Sequence, residues 1–149
     1  MSIVSRNGGA DASGTTSITP GYPANISTGQ FLLLAVVNKY PANGPAIPAG
    51  WTFLAAAQAS GGSGAAGVDT GNVFITVFYK VSDGTETGTE TVTIASGNSS
   101  YGKIFRYSGA ANGDPIPVQV TAVNGTDNTA GTAWSIVTGA VEIHAGDMV

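Results

Sequence analysis

Three stretches of the chain carry residue types that could do chemistry. GSGAAG, Gly62 to Gly67, has the spacing G-x-G-x-x-G, whose glycines let a pyrophosphate lie against a helix N-terminus. SDGTETGTE gathers Asp83, Glu86 and Glu90, hard oxygen donors of the kind calcium takes. His144 is the one histidine, with Glu142 and Asp147 beside it. Any Ser-His-Asp arrangement or histidine-held metal would have to use it.

The flanks weigh against all three. The dinucleotide fingerprint needs a parallel strand before it and a helix after it. Here Asp69, Gly71 and Asn72 interrupt any helix, and Val73 opens a run of period two. Gly61 to Gly71 therefore reads as a loop poor in side chains that joins two strands and offers a neighbour close approach. The acidic run lacks the D-x-D-x-D-G pattern and reads as a solvated hairpin turn, as does Asp127 in NGTDNT. Charge around His144 reads as solvated surface. Three Asn-x-Ser/Thr triplets start at Asn25, Asn98 and Asn124; in a chain this rich in Ser, Thr and Asn they mark surface turns. With no cysteine, thiolate chemistry and disulfides are excluded. No catalytic, cofactor-binding or metal residue is assigned, and the expectation is a protein that is not an enzyme and needs no cofactor.

Composition narrows the partners. The 149 residues make one domain, 1–149, large enough for a core. Charged residues are 9%, well under the roughly one-quarter that is usual. Five basic residues (Arg6, Lys39, Lys80, Lys103 and Arg106) are scattered in a chain of net charge −4. Nucleic acid and anionic membrane are therefore not expected as partners. The N-terminus lacks the basic-then-apolar pattern of a signal peptide, and the apolar run Phe31 to Val37 is too short to span a bilayer.

The elements are strands. Twenty-two Gly and seven Pro punctuate the chain, and helix formers are scarce. Strands are expected at Ser2–Val4, Phe31–Asn38, Val73–Val81, Thr89–Ile94, Tyr101–Ser108, Val118–Val123, Ala133–Val137 and Val141–His144, with Thr16–Thr19 a further candidate and Trp51–Ala59 a strand or, by its alanines, a helix. The remainder of residues 6–30 reads as a loop arm, and 40–50 as a proline-stiffened loop. Turns are read at 82–84, 97–100, 112–115 and 124–125. Roughly eight or nine short strands with turn chemistry about every ten residues make an all-β antiparallel sandwich, and the long loops point to jelly-roll connections. ISTGQFLL at Ile26 is echoed by IHAGDMV at Ile143, so 140–149 reads as a very short last strand or, on the favoured reading, the start of a further one.

Val73, Ile75, Val77, Tyr79 and Val81 share one face of their strand, and Phe74, Thr76, Phe78 and Lys80 the other. Placing the branched residues in the core leaves Phe74 and Phe78 to be covered by a loop or a partner, which favours oligomerisation or docking on an assembly. The expected interface is Phe74, Phe78, Tyr40, Pro45 and Trp51. An alternative use of the aromatics is sugar stacking by Trp51 and Trp134, as in a carbohydrate-binding adhesin module.

PAGWTFLA (Pro48 to Ala55), VFYKVSDGTE (Val77 to Glu86), ETVTI (Glu90 to Ile94) and KIFRYSGA (Lys103 to Ala110) follow in order behind ISTGQFLLLAVVNKY. Over residues 26–110 this order resembles the jelly-roll β-sandwich proteins of tailed-bacteriophage virions, of the head-decoration, fibre and tail-associated types. Gln30 stands where an acidic residue is commoner in that group. The resemblance implies a virion structural protein made in the host cytoplasm. Its first reading is a capsid decoration (cement) protein on the major capsid protein or other virion proteins, and a homo-oligomer, with a trimer favoured. A tail or head-fibre module is the alternative.

Overall fold

The computed structural model describes residues 5–39, 44–54, 73–94 and 99–108, without the side chains of Ser5, Arg6, Lys39, Val73 and Phe74. They form eight strands and, among the described residues, no helix. Ser5–Gly8 (β1), Ala12–Gly14 (β2) and Ser17–Ile18 (β3) come first. Phe31–Lys39 (β4), Thr52–Phe53 (β5) and Val73–Val81 (β6) follow. Val92–Thr93 (β7) and Ser99–Ser108 (β8) complete the set. Every pairing is antiparallel.

The long apolar runs take the middle of the larger sheet, whose order is β1-β8-β4-β6-β5 with β2 beside β1 on the edge of β8. A strand apolar on both faces belongs where both faces are covered. FLLLAVVNK is such a run, and β4 is paired along its whole length to β6 and β8. Strand β6 spans the expected residues. The N-terminal region departs from expectation: β1 and β2 form within the arm read as loop. Their backbone is claimed by the long edge of β8, because ladder pairing outweighs local preference. Ser99 and Ser100, read as turn, begin β8.

A second layer lies on one side of this sheet. Strands β3 and β7 pair, and the ladder runs on through Ile94 N–H to the Thr16 carbonyl, Glu90 N–H to Pro20 and Tyr22 N–H to Gly88. Ile18, Val92 and Ile94 of this ribbon meet Leu32, Leu34, Val36, Phe78, Ile104 and Trp51 in one core. Gly102 makes the close approach of the layers work: a Cβ there would lie 2.5 Å from Ile18 Cδ1. The architecture is all-β and antiparallel, a two-layer sandwich in its described part.

Register overturns the face expected to be core in β6. Leu34 lies opposite Phe78, and Val36 opposite Thr76. Cross-strand partners share a face, so Phe78, fully buried, and Thr76 point into the core with Leu34 and Val36. Ile75 and Val81 face outward. Strands expected beyond residue 108, with the jelly-roll connectivity they would decide, and the segment holding GSGAAG lie outside the described residues. So do His144, Asp127, Asn98 and the Asn124 triplet.

Candidate interaction surface

Of the five residues expected at an interface, the three described side chains are buried in their own chain. Phe78 and Trp51 belong to the core, and Pro45 is buried in the loop before β5. The Phe74 side chain, Tyr40 and Trp134 lie outside the described residues. Trp51 is in addition held at both its ring face and its edge. Its ring stacks on Tyr22 at 6.5 Å, and its Nε1–H donates to Glu90 Oε2 at 3.0 Å. A side chain 6% exposed and so occupied offers no open platform for a sugar ring.

The carboxylates of the SDGTETGTE run are likewise committed to protein partners. Asp83 accepts from the N–H and hydroxyl of Thr85, a local turn that lowers its pKa. Gly84 allows that turn with φ +88°. Glu86 turns back over β6 to pair with Lys80 Nζ at 3.0 Å and to accept from the Ser82 hydroxyl at 2.7 Å. Burial would raise the Glu86 carboxyl, but the Ser82 and Lys80 bonds outweigh it and hold it at about 2. Lys80 Nζ stands 5.6 Å from the Tyr22 ring centroid and 5.5 Å from that of Trp51, within cation–π range. Tyr22 donates its hydroxyl to Glu90 Oε2 at 2.5 Å. Burial, and then that carboxylate, push the phenol pKa well up. Tyr22, Trp51, Lys80, Glu86 and Glu90 thus form a closed clamp between the β3–β7 ribbon and the β5–β6 edge. A phenol held protonated and an ammonium neutralised by a carboxylate are poor nucleophiles. Asn25, exposed with φ +58°, lies on the loop whose carbonyl accepts from Arg106.

The exposed apolar surface lies on the other side of the sheet. Phe31, Leu33, Ala35 and Val37 of β4 share a face with Ile75, Val77, Tyr79 and Val81 of β6 and with Tyr101, Lys103, Phe105 and Tyr107 of β8. No described strand packs across it. Phe31, stacked between Tyr79 and Tyr107, closes one end. Towards the rest, Ile75, Val81 and Tyr101 are 42%, 48% and 44% exposed, with Leu33, Ala35, Val37 and Val77 half-buried between them. The one ion pair among its described side chains is Lys103 to Asp11, 2.7 Å apart at the β2–β8 edge. Sequence reasoning chose the wrong parity of β6 and so missed this face. The available signal was in β4: both of its parities are apolar, so its second face also needs a cover. No protein-family model matches the chain, and neither a curated protein nor a solved structure matches it.

Proposed function

We propose that this chain is a non-enzymatic virion structural protein, a capsid decoration module that binds the head lattice in many copies. The observation that carries the reading is the second face of the β8-β4-β6 sheet, with Ile75, Val81 and Tyr101 exposed around Leu33, Ala35, Val37 and Val77. Exposed apolar area of this extent is what a protein destined for an assembly presents. The low charge of the chain and its resemblance to phage sandwich proteins support the same reading. Burial of Trp51 weighs against the sugar-binding alternative.

Copy number is the test. Particles purified after expression of the chain with a tailed phage's major capsid protein should carry it at a stoichiometry of the lattice. A handful of copies per particle places it in the tail or a head fibre. Its absence from particles overturns the virion reading.

A further inference from the structure

We infer that Asn7 is a self-modifying residue: its side-chain amide converts to a carboxylate on β1, and that carboxylate pairs with Arg106. The reading is independent of the assembly proposal and involves no second chain.

The reactive pair is Asn7-Gly8. A backbone nitrogen can attack the carboxamide of the residue before it, and glycine leaves that nitrogen unscreened because it has no Cβ. Register places the nitrogen. Gly9 N–H donates to the Ile104 carbonyl, and Gly8 lies opposite Phe105, one rung back. Hydrogen-bonded and non-hydrogen-bonded pairs alternate along an antiparallel ladder. Gly8 therefore takes a non-bonded rung, and its N–H points away from β8. Strand β1 ends the sheet order, so no described strand pairs on that side. Asn7 and Gly8 are both exposed, open to water and hydroxide.

The step needs no co-reactant but water. Gly8 N gives its proton to solvent and bonds to Asn7 Cγ, while the Cγ–Nδ2 bond breaks and ammonia leaves. Water then opens the cyclic imide to aspartate or to its β-linked isomer. Ring closure requires Asn7 to leave the extended conformation. Strand β1 has four residues and a ladder on one side only, and short edge elements open at low cost. The β-linked isomer carries an extra backbone atom before Gly8, which would move Gly9 off the Ile104 carbonyl. Aspartate keeps the register and re-pairs.

Arg106 is what suits the product to this place. Asn7 and Arg106 are direct cross-strand partners, so their Cβ atoms lie about 5 Å apart on one face. Arg106 Nη1–H donates to the Asn25 carbonyl. Its Nε is buried and, among the described residues, has no acceptor. Neither ion pair among the described residues involves it. An amide offers a guanidinium one neutral oxygen, whereas a carboxylate offers two charged ones and a stronger, charge-assisted bond. Conversion at Asn7 thus supplies Arg106 with an anion and fastens β1 to β8.

The test incubates the full chain at mildly alkaline pH, folded and in urea, and maps its peptides by mass spectrometry. Asn7 should gain the mass of an amide-to-acid exchange in both, more slowly in the fold. The folded product should be mainly aspartate, which chromatography separates from the β-linked isomer. Asn7→Asp supplies that product directly. Its folding constant in urea titration should exceed the parent's by about threefold to tenfold. The gain should vanish in an Arg106→Gln background and shrink at high salt. An Asn7 amide that survives in the folded chain while the unfolded chain converts overturns the site. So does a folded product that is wholly β-linked. No gain in Asn7→Asp, a gain that persists with Arg106→Gln, or a gain indifferent to salt overturns the pairing. The salt measurement decides that point without altering Arg106.

Discussion

Two polar regions are buried at opposite ends of the β4–β6 pair, and they are built in opposite ways. At the Lys80 end, a lysine, two glutamates, a tyrosine and a tryptophan satisfy one another. At the Thr76 end, Asn38 is fully buried with neither side-chain amide atom hydrogen-bonded among the described residues, and the Thr76 hydroxyl is equally unpaired among them. Ser100, opposite Asn38 in register, finds an acceptor there, the Thr15 carbonyl at 3.3 Å. The charged end is the better satisfied of the two. Whether a polar residue suits a core depends on its partners rather than on its polarity. The clamp ties the two layers together, whereas Asn38 and Thr76 take stability away.

The largest effect should come from breaking the clamp at its aromatic hub. Trp51→Ala should cost about 3–5 kcal/mol, as for other large core aromatics, and strip Glu90 and Lys80 of a donor and a ring. Trp51→Phe keeps an aromatic ring but loses the fused five-membered ring and the Nε1–H bond to Glu90, so it should cost about 2 kcal/mol, less than the alanine variant. Urea unfolding followed by circular dichroism separates the two. Equal losses would mean that the Nε1–H bond to Glu90, and not ring packing, holds this end.

Glu86→Gln comes next. It leaves the Lys80 ammonium without its carboxylate in a site where both side chains are mostly buried, and should cost about 2 kcal/mol at neutral pH. Acid titration sharpens the point. The carboxyl sits at about 2 in the fold against an ordinary 4.5. Its contribution is therefore complete above pH 4.5 and is lost as the pH falls towards 2. The melting temperature of the parent should drop across that window, and that of Glu86→Gln should drop less. Parallel curves would refute the role given to Glu86.

Most of the sheet was legible because its signals are local. The alternation in VFITVFYKV and the apolar run of FLLLAVVNK are each contained in one strand, and both strands form where expected. The clamp was not legible. Tyr22 and Glu90 are 68 residues apart and Trp51 and Glu90 are 39 apart, and no short-range pattern announces such a meeting. The core-facing side of β6 was misread for a related reason. Both of its faces are apolar, so the choice rests on register with Leu34 and Val36, which is a property of the neighbouring strand. The short strands β1 and β2 exist by virtue of β8 and carry little signal of their own.

The smallest expected effect is the one with the opposite sign. Thr76→Val exchanges a buried hydroxyl for a methyl group of nearly the same shape. At most sites that swap is costly because the hydroxyl has a partner. Here its oxygen has none, and its neighbours across the strand pair are Val36 and, one rung on, Leu34. Removing an unsatisfied donor and adding apolar contact should stabilise the chain by about 1 kcal/mol. The gain should add to the loss in Glu86→Gln, because the two ends share no partner. A double-variant cycle in urea reads both quantities at once. Destabilisation by Thr76→Val would mean that the hydroxyl is satisfied in solution, and the contrast between the two ends would disappear. Non-additivity would mean that the ends are coupled through β6, and the clamp would then act on the whole strand rather than on the loop it holds.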